Sequence, residues 1–304
     1  MLLAARLIES YNSALGEDCR VEATQALVDL ETIELDHANW SALKVFYESR
    51  NMDTRLELAT RRHLRDKGRH SSAVYICLAR QLARSSKYGE AQQTMRHCLE
   101  LARDLKENAW EVANSLFLVR DFAATRKFVR PHLDGGLNPF PFRILECKTL
   151  FALGQRRAAR NTLLATKSLL EDVPARWLWY GCVALENKIE REAMTAASQI
   201  CKMVESGSGT LTKGSFQFLV RAGFQSEGSL LLGKCHPESC NDISDVEFLF
   251  EEALEAGLYE CAERLRRRLI VLLEADPIRS KLMSVRSIPR FLSANVGKEY
   301  RKVI

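Results

Sequence analysis

Proline and glycine are scarce. Seven Pro and fifteen Gly in 304 residues are too few for a low-complexity chain. Long apolar runs are also missing: no stretch approaches the roughly 18–20 uncharged apolar residues that a membrane span needs. Alternating β-branched runs, the signature of half-buried strands, are absent as well. The first residues, MLLAARLIESYNSALGED, lack the basic segment and uninterrupted apolar core of a secretory signal. Arg6 and Glu9 interrupt the apolar residues, which predicts an amphipathic helix instead.

Net positive charge is lacking over most of the chain. The formal net charge is +5, but the last 27 residues hold seven Lys/Arg and one acid, so the rest carries −1. A nucleic-acid-binding surface spread over the whole protein is not implied. Nine cysteines are present, an odd number, scattered through apolar helical runs. That pattern predicts buried free thiols in a reducing compartment, with the cytoplasm as the expected location.

What the chain has in abundance is helical spacing of apolar residues, with 46% of residues hydrophobic. An ordered, soluble, all-α protein is expected. In YICLARQLARSSKYGEAQQTMRHCLEL, Tyr75, Leu78, Ala79 and Leu82 mark one helix face. Ser85 and Ser86 mark a turn, and Tyr88, Ala91, Met95 and Leu99 mark a second face. The phase recurs about every 34 residues. It passes through turns at Asn51, Arg120–Asp121, Gly154, Lys188, Gly223 and Gly257. Small residues (Ala79, Ala113, Gly181, Ala91, Ala193, Ala262) stand where helix backbones must approach. Trp40, Tyr75, Tyr88, Trp177 and Tyr259 are expected to fill the holes between hairpins. Pro139, Pro174 and Pro277 fall between units, where a helix must stop.

These residues resemble the tetratricopeptide repeat (TPR) family, whose unit runs from an aromatic residue through Leu and a small residue to a closing Pro. The best copies are Tyr75–Leu101 and Val246–Pro277, the latter ending LLEADP. Departures are Lys44, Phe216 and Phe250 at small positions, and Gln25, Thr60 and Arg266 at large apolar ones. The pentatricopeptide class is a near neighbour, but no recurring base-reading pair is present. The resemblance implies a right-handed α-solenoid of about seven to eight TPR-like hairpins. Residues 1–277 would form the repeat domain, with units starting near 2, 37, 72, 106, 140, 174, 209 and 243. Residues 278–304 would supply a C-terminal cap and basic tail. ESGSGTLTKGS at 205–215 and GKCHPESCND at 233–242 read as interhelical loops.

Signs of catalysis are absent. Cys235, His236 and Cys240 lie close in sequence, but no second ligand pair completes a zinc site, so a loop with exposed thiols is expected. GSGTLTKGS has the wrong order for a phosphate loop. His37, His63, His70, His97, His132 and His236 form no HExxH, and no G-x-S-x-G is present. No catalytic residue, metal or cofactor is assigned.

The resemblance places a ligand groove on the first helix of each hairpin. By phase, Arg80, Asn114 and Lys148 fall in equivalent positions, with Arg84 one turn along. Trp110, Glu111, Trp179, Cys182 and Glu186 are neighbours of that stripe. Such residues would suit an acidic or C-terminal peptide segment, with the indoles as apolar anchors. The two-carboxylate clamp of chaperone-binding members is not matched: Asn114 is in register, but Ser41, Ile76 and Trp110 hold the Lys positions. In the tail, Arg286, Arg290, Lys298, Arg301 and Lys302 form a basic arm for acidic protein, nucleic acid or an anionic surface. The leading expectation is a non-catalytic scaffold or adaptor binding a protein partner. The alternatives are a targeting or regulatory subunit of an enzyme complex, and nucleic-acid binding through the tail.

Overall fold

Apolar residues at three- and four-residue spacing leave the backbone no better option than helix, and the described residues contain helices and no strand. In the computed structural model these residues are 3–16, 19–33, 36–65, 70–133 and 139–275. The positions expected to cap or extend the chain, 278–304, lie outside them. Sixteen α-helices occur among them. They are α1 (Leu3–Gly16), α2 (Arg20–Thr32), α3 (His37–Ser49), α4 (Asp53–Arg65), α5 (Ser72–Arg84), α6 (Tyr88–Leu101), α7 (Ala109–Leu118) and α8 (Phe122–Val129). There follow α9 (Phe140–Ala152), α10 (Arg156–Thr166), α11 (Pro174–Glu186), α12 (Glu190–Glu205), α13 (Lys213–Arg221), α14 (Gln225–Gly233), α15 (Ile243–Glu255) and α16 (Tyr259–Ala275).

Two compact units divide the chain, Met1–Thr162 and Leu163–Ile304. In the first, the hairpins α1/α2, α3/α4, α5/α6 and α7/α8 close on themselves, and first helices pack on first helices: α1 on α3, α5 on α7, α7 on α9. In the second, α11/α12, α13/α14 and α15/α16 pair in the same way, with α11 on α13 and α13 on α15. Adjacent helices pack as pairs, as a helical repeat requires.

The turns explain the regularity. Asn51, Ser86, Arg120, Gly154, Lys188, Gly223 and Gly257 all have positive φ and follow one another at steps of 34 or 35 residues. Each ends the first helix of a pair in the same way. At Arg120, for example, the amide donates to Phe117 O at 2.9 Å, and the next amide, Asp121, reaches back to Leu116 O at 3.1 Å. This left-handed cap satisfies the last carbonyls of the helix and turns the chain back. Only three of the seven positions are glycine, so a glycine-based reading of the sequence sees less than half of the pattern.

Five residues beyond each turn lies a buried position: Leu56, Ala91, Thr125, Ala159, Ala193, Gly228 and Ala262. Small residues fill all but the first, which lets the two helices of a pair approach. The Thr60 departure is accommodated without loss. Its buried hydroxyl donates to Leu56 O at 2.8 Å and accepts from Trp40 Nε1 at 3.2 Å, so no polar group is stranded. Arg266 is exposed, which removes any need for an apolar residue there.

Three of the expected hole-fillers behave differently. Tyr259 is 50% exposed, Tyr88 is half-buried, and Trp177 is half-buried with its indole N–H donated to Glu171 O at 2.9 Å. Tyr88 and Tyr259 begin the second helices of their pairs, two residues past the turns at Ser86 and Gly257. The ring of Tyr88 is covered by the Arg120 guanidinium of the next turn, 4.4 Å from its centroid. Among the described residues Tyr259 has no such following turn. Tyr180, fully buried, takes the packing role expected of Trp177.

Candidate partner-binding surface

The stripe placed by phase on α5, α7 and α9 belongs to the first unit, and those helices do pack in sequence. Its charges are not all available. Arg80 Nη2 donates to Glu111 Oε2 at 2.6 Å, linking α5 to α7. Arg84 Nη1 is 3.2 Å from Asp53 Oδ1 at the start of α4. Both arginines thus pair with acids 31 residues away, the distance that brings one hairpin onto the next. Glu111 is therefore the counter-ion of Arg80. These are partly exposed pairs, worth little as stability, but they reduce the positive potential an acidic ligand would meet.

Asn114 and Lys148 are half-buried and have no side-chain hydrogen bond or ion pair among the described residues. Trp110 is half-buried and meets Phe142 of α9 edge-on, with ring centroids 5.9 Å apart. It therefore contributes to packing of α7 on α9 as well as to the surface. In the second unit, α11 carries Trp179, 42% exposed, with Cys182 half-buried and Glu186 exposed. The tail residues Arg286, Arg290, Lys298, Arg301 and Lys302 lie outside the described residues.

The loop expected to expose thiols does the opposite. Cys235 and Cys240 are both buried. A hydrogen bond to Cys240 and burial together raise the Cys235 thiol far above its ordinary value. The loop folds back because a short 3-10 turn at Pro237–Ser239 directs Cys240 inward, its amide donating to Pro237 O at 3.0 Å. The other expected loop is shorter than 205–215. The helix α12 continues to Glu205, and Thr212 with Ser215 forms a capping box that starts α13. There Ser215 N donates to Thr212 Oγ1 at 3.2 Å, and Thr212 N to Ser215 Oγ at 2.8 Å.

Two groupings in the first unit come together only through packing. His37, His63 and His70 come together around Trp40: His63 stacks on Trp40 at 5.7 Å, meets His70 edge-on at 4.9 Å, and lies 6.2 Å from His37. With Ser71, Arg103 and Asp104 these imidazoles line a cavity of about 310 Å3. Asp104 serves structure there, accepting from Ser72 N at 2.7 Å at the start of α5. Among the described residues no group of three His, Cys, Asp or Glu is placed to hold a metal ion. The second grouping is a set of arginines on α4. Its only sequence signal was the basic run Arg61–Arg62–His63–Leu64–Arg65, readable equally as a solvated face.

Among the described residues no helix is long and apolar enough to cross a membrane. Comparison with known protein families gives no match, and comparison with curated proteins gives none either.

Proposed function

We propose that the chain is a non-catalytic, cytoplasmic scaffold or adaptor whose hairpins are TPR-like units of a right-handed α-solenoid, and that a protein partner binds along its first helices. The observation that carries this reading is the packing of α5, α7 and α9 in succession, with Asn114 and Lys148 unengaged on adjacent helices. An amide and an ammonium held on one rigid face suit a carboxylate-bearing or carbonyl-rich peptide segment. Trp110 offers an adjoining apolar contact. Pairing of Arg80 with Glu111 and of Arg84 with Asp53 narrows the ligand site to Asn114, Lys148 and Trp110. The same surface would serve a targeting subunit of an enzyme complex, with the chemistry in another chain.

The test is affinity purification of the full chain with identification of co-purifying protein. Affinity for that protein is then measured with Lys148→Glu and Asn114→Ala. A loss of about tenfold or more in affinity is expected for Lys148→Glu, and unchanged affinity in both variants would remove the surface from consideration. The concentrated tail charge supports nucleic-acid binding as a second reading. It predicts steeply salt-dependent binding that deletion of 287–304 abolishes.

A further inference from the structure

A cavity of about 250 Å3 opens in the first unit where α2 and α4, the second helices of successive hairpins, face each other. The spacing of α4 puts Arg55, Leu58, Ala59, Arg62 and Arg65 on one face. Leu30 and Glu31 come from the last turns of α2, and Tyr47 from α3. Leu30, Tyr47 and Ala59 are buried and apolar, and Leu58 stands 62% exposed at the rim. The lining is thus a small apolar floor under a ring of guanidinium groups.

The arginines differ in what they are already doing. Arg62 donates to the carbonyls of Glu31 and Ile33, the latter at 2.7 Å, and so closes the C-terminal end of α2. Arg61 is taken by Glu57 at 3.0 Å and Glu90 at 2.8 Å. Arg55 Nη1 lies 2.8 Å from Glu31 Oε1, yet the approach is out of line and that buried nitrogen has no hydrogen bond. Arg65 is exposed and has no hydrogen bond or ion pair among the described residues. Arg55 and Arg65 are thus the two cavity-lining arginines without a hydrogen bond, Arg55 held beside Glu31 and Arg65 with no partner among the described residues. The one carboxylate beside them, Glu31, is partly exposed and weakly aligned.

We propose that this cavity binds a small organic oxyanion, a carboxylate or phosphate monoester carried on a compact apolar body. The oxyanion takes the place of the Glu31 carboxylate between Arg55 and Arg65, where it accepts charge-assisted hydrogen bonds. The body rests on Leu30, Tyr47 and Ala59. A cavity of about 250 Å3 holds a ring-sized body, below the usual range for drug-sized ligands. Glu31 is an internal competitor for Arg55. The site is independent of the first-helix surface.

Titration of the full chain with phenyl phosphate, benzoate, inorganic phosphate and phenol, followed by calorimetry or ligand-observed NMR, tests this. Saturable binding of phenyl phosphate or benzoate is expected, with the order between them naming the preferred oxyanion. Phenol and inorganic phosphate should each bind about tenfold more weakly or worse. Arg55→Gln and Arg65→Gln, with helix content checked by circular dichroism, should each weaken the better oxyanion by about tenfold. Glu31→Gln should tighten it several-fold, a gain that damaged folding cannot imitate. The proposal is overturned if neither oxyanion binds, if phenol or inorganic phosphate binds as well as phenyl phosphate, or if both arginine variants keep full affinity. Weaker binding by Glu31→Gln would also overturn it.

Discussion

The hydroxyl of Tyr180 donates to Glu192 Oε2 at 2.6 Å, inside the pair formed by α11 and α12. Both side chains are buried, and Lys167 Nζ reaches the same oxygen at 3.1 Å. Burial alone would raise the Glu192 carboxyl. The hydrogen bonds from Tyr180 and Lys167 outweigh it and hold the group below the usual carboxylate range.

Tyr180→Phe removes one donor from a buried carboxylate and should cost about 2 kcal/mol, read as a lower urea midpoint at pH 7. The pH dependence follows from the depressed carboxyl. Its stabilising contribution is fully present above the unfolded-state pKa of about 4.3 and is lost as pH falls through the lower folded value. The gap between wild type and Tyr180→Phe should therefore narrow below about pH 4. A gap that widens in acid would contradict the arrangement.

Gly181 lies against α12 and α13 with no room for a side chain. A Cβ there would stand 2.8 Å from the Ala196 Cβ and press on the Phe218 ring. Helix propensity favours Ala over Gly by about 1 kcal/mol, but overpacking costs about 1–3 kcal/mol. Because Phe218 is itself buried, Gly181→Ala should be net destabilising. Gly89, with open space around it, is the control: Gly89→Ala should stabilise by up to about 1 kcal/mol. Thermal melts of the two variants should move in opposite directions.

The seven turn positions predict a second contrast. Gly154 has φ +73° and Lys188 has φ +58°. Gly154→Ala should lose about 1 kcal/mol, since a Cβ is strained in the left-handed region. Lys188→Gly, at an exposed position, should gain up to about 1 kcal/mol by relieving the same strain, less the entropy glycine carries in the unfolded chain. Equal effects of both changes on the denaturation midpoint would refute a shared left-handed cap.

Thiol reactivity should divide the nine cysteines. Burial, assisted by nearby acids, pushes Cys98 and Cys147 up to about 12. About one such thiol in ten thousand is then ionised at pH 8. Cys77, Cys201, Cys235, Cys240 and Cys261 are also buried, whereas Cys19 and Cys182 are half-buried. Titration of the native protein with an aromatic disulfide reagent should show two fast thiols, and all nine in denaturant. Rapid labelling of Cys98 or Cys147 in the native state would count against their burial.

Acid should also weaken the last described helix. Hydrogen bonds from Arg266 and Arg267 hold the Glu263 carboxyl at about 2. Its contribution is present above about pH 4.3 and lost as pH falls toward the folded value. With both arginines largely exposed, Glu263→Gln should cost no more than about 0.5–1 kcal/mol at pH 7, checked by denaturation in low and high salt.

The sequence alone determined the helical class and where each hairpin turns. Turn positions such as Ser86, Gly154 and Lys188 follow from local periodicity, and so do the small residues Ala91, Ala159 and Ala193. Helix formation, capping and close approach within a pair are settled by residues a few positions apart. It went astray at the hairpin ends, with Tyr88 and Tyr259, because exposure there depends on whether a following turn covers the ring. The availability of the surface was decided only in three dimensions. Whether Arg80 is an open ligand contact depends on Glu111, 31 residues away, and no spacing rule within one helix connects them. The same holds for the company of His37, His63 and His70, and for Arg55 beside Glu31. These groupings arise from packing one hairpin on the next, where side chains of distant sequence share a low-dielectric surface and neutralise or leave open each other's charge.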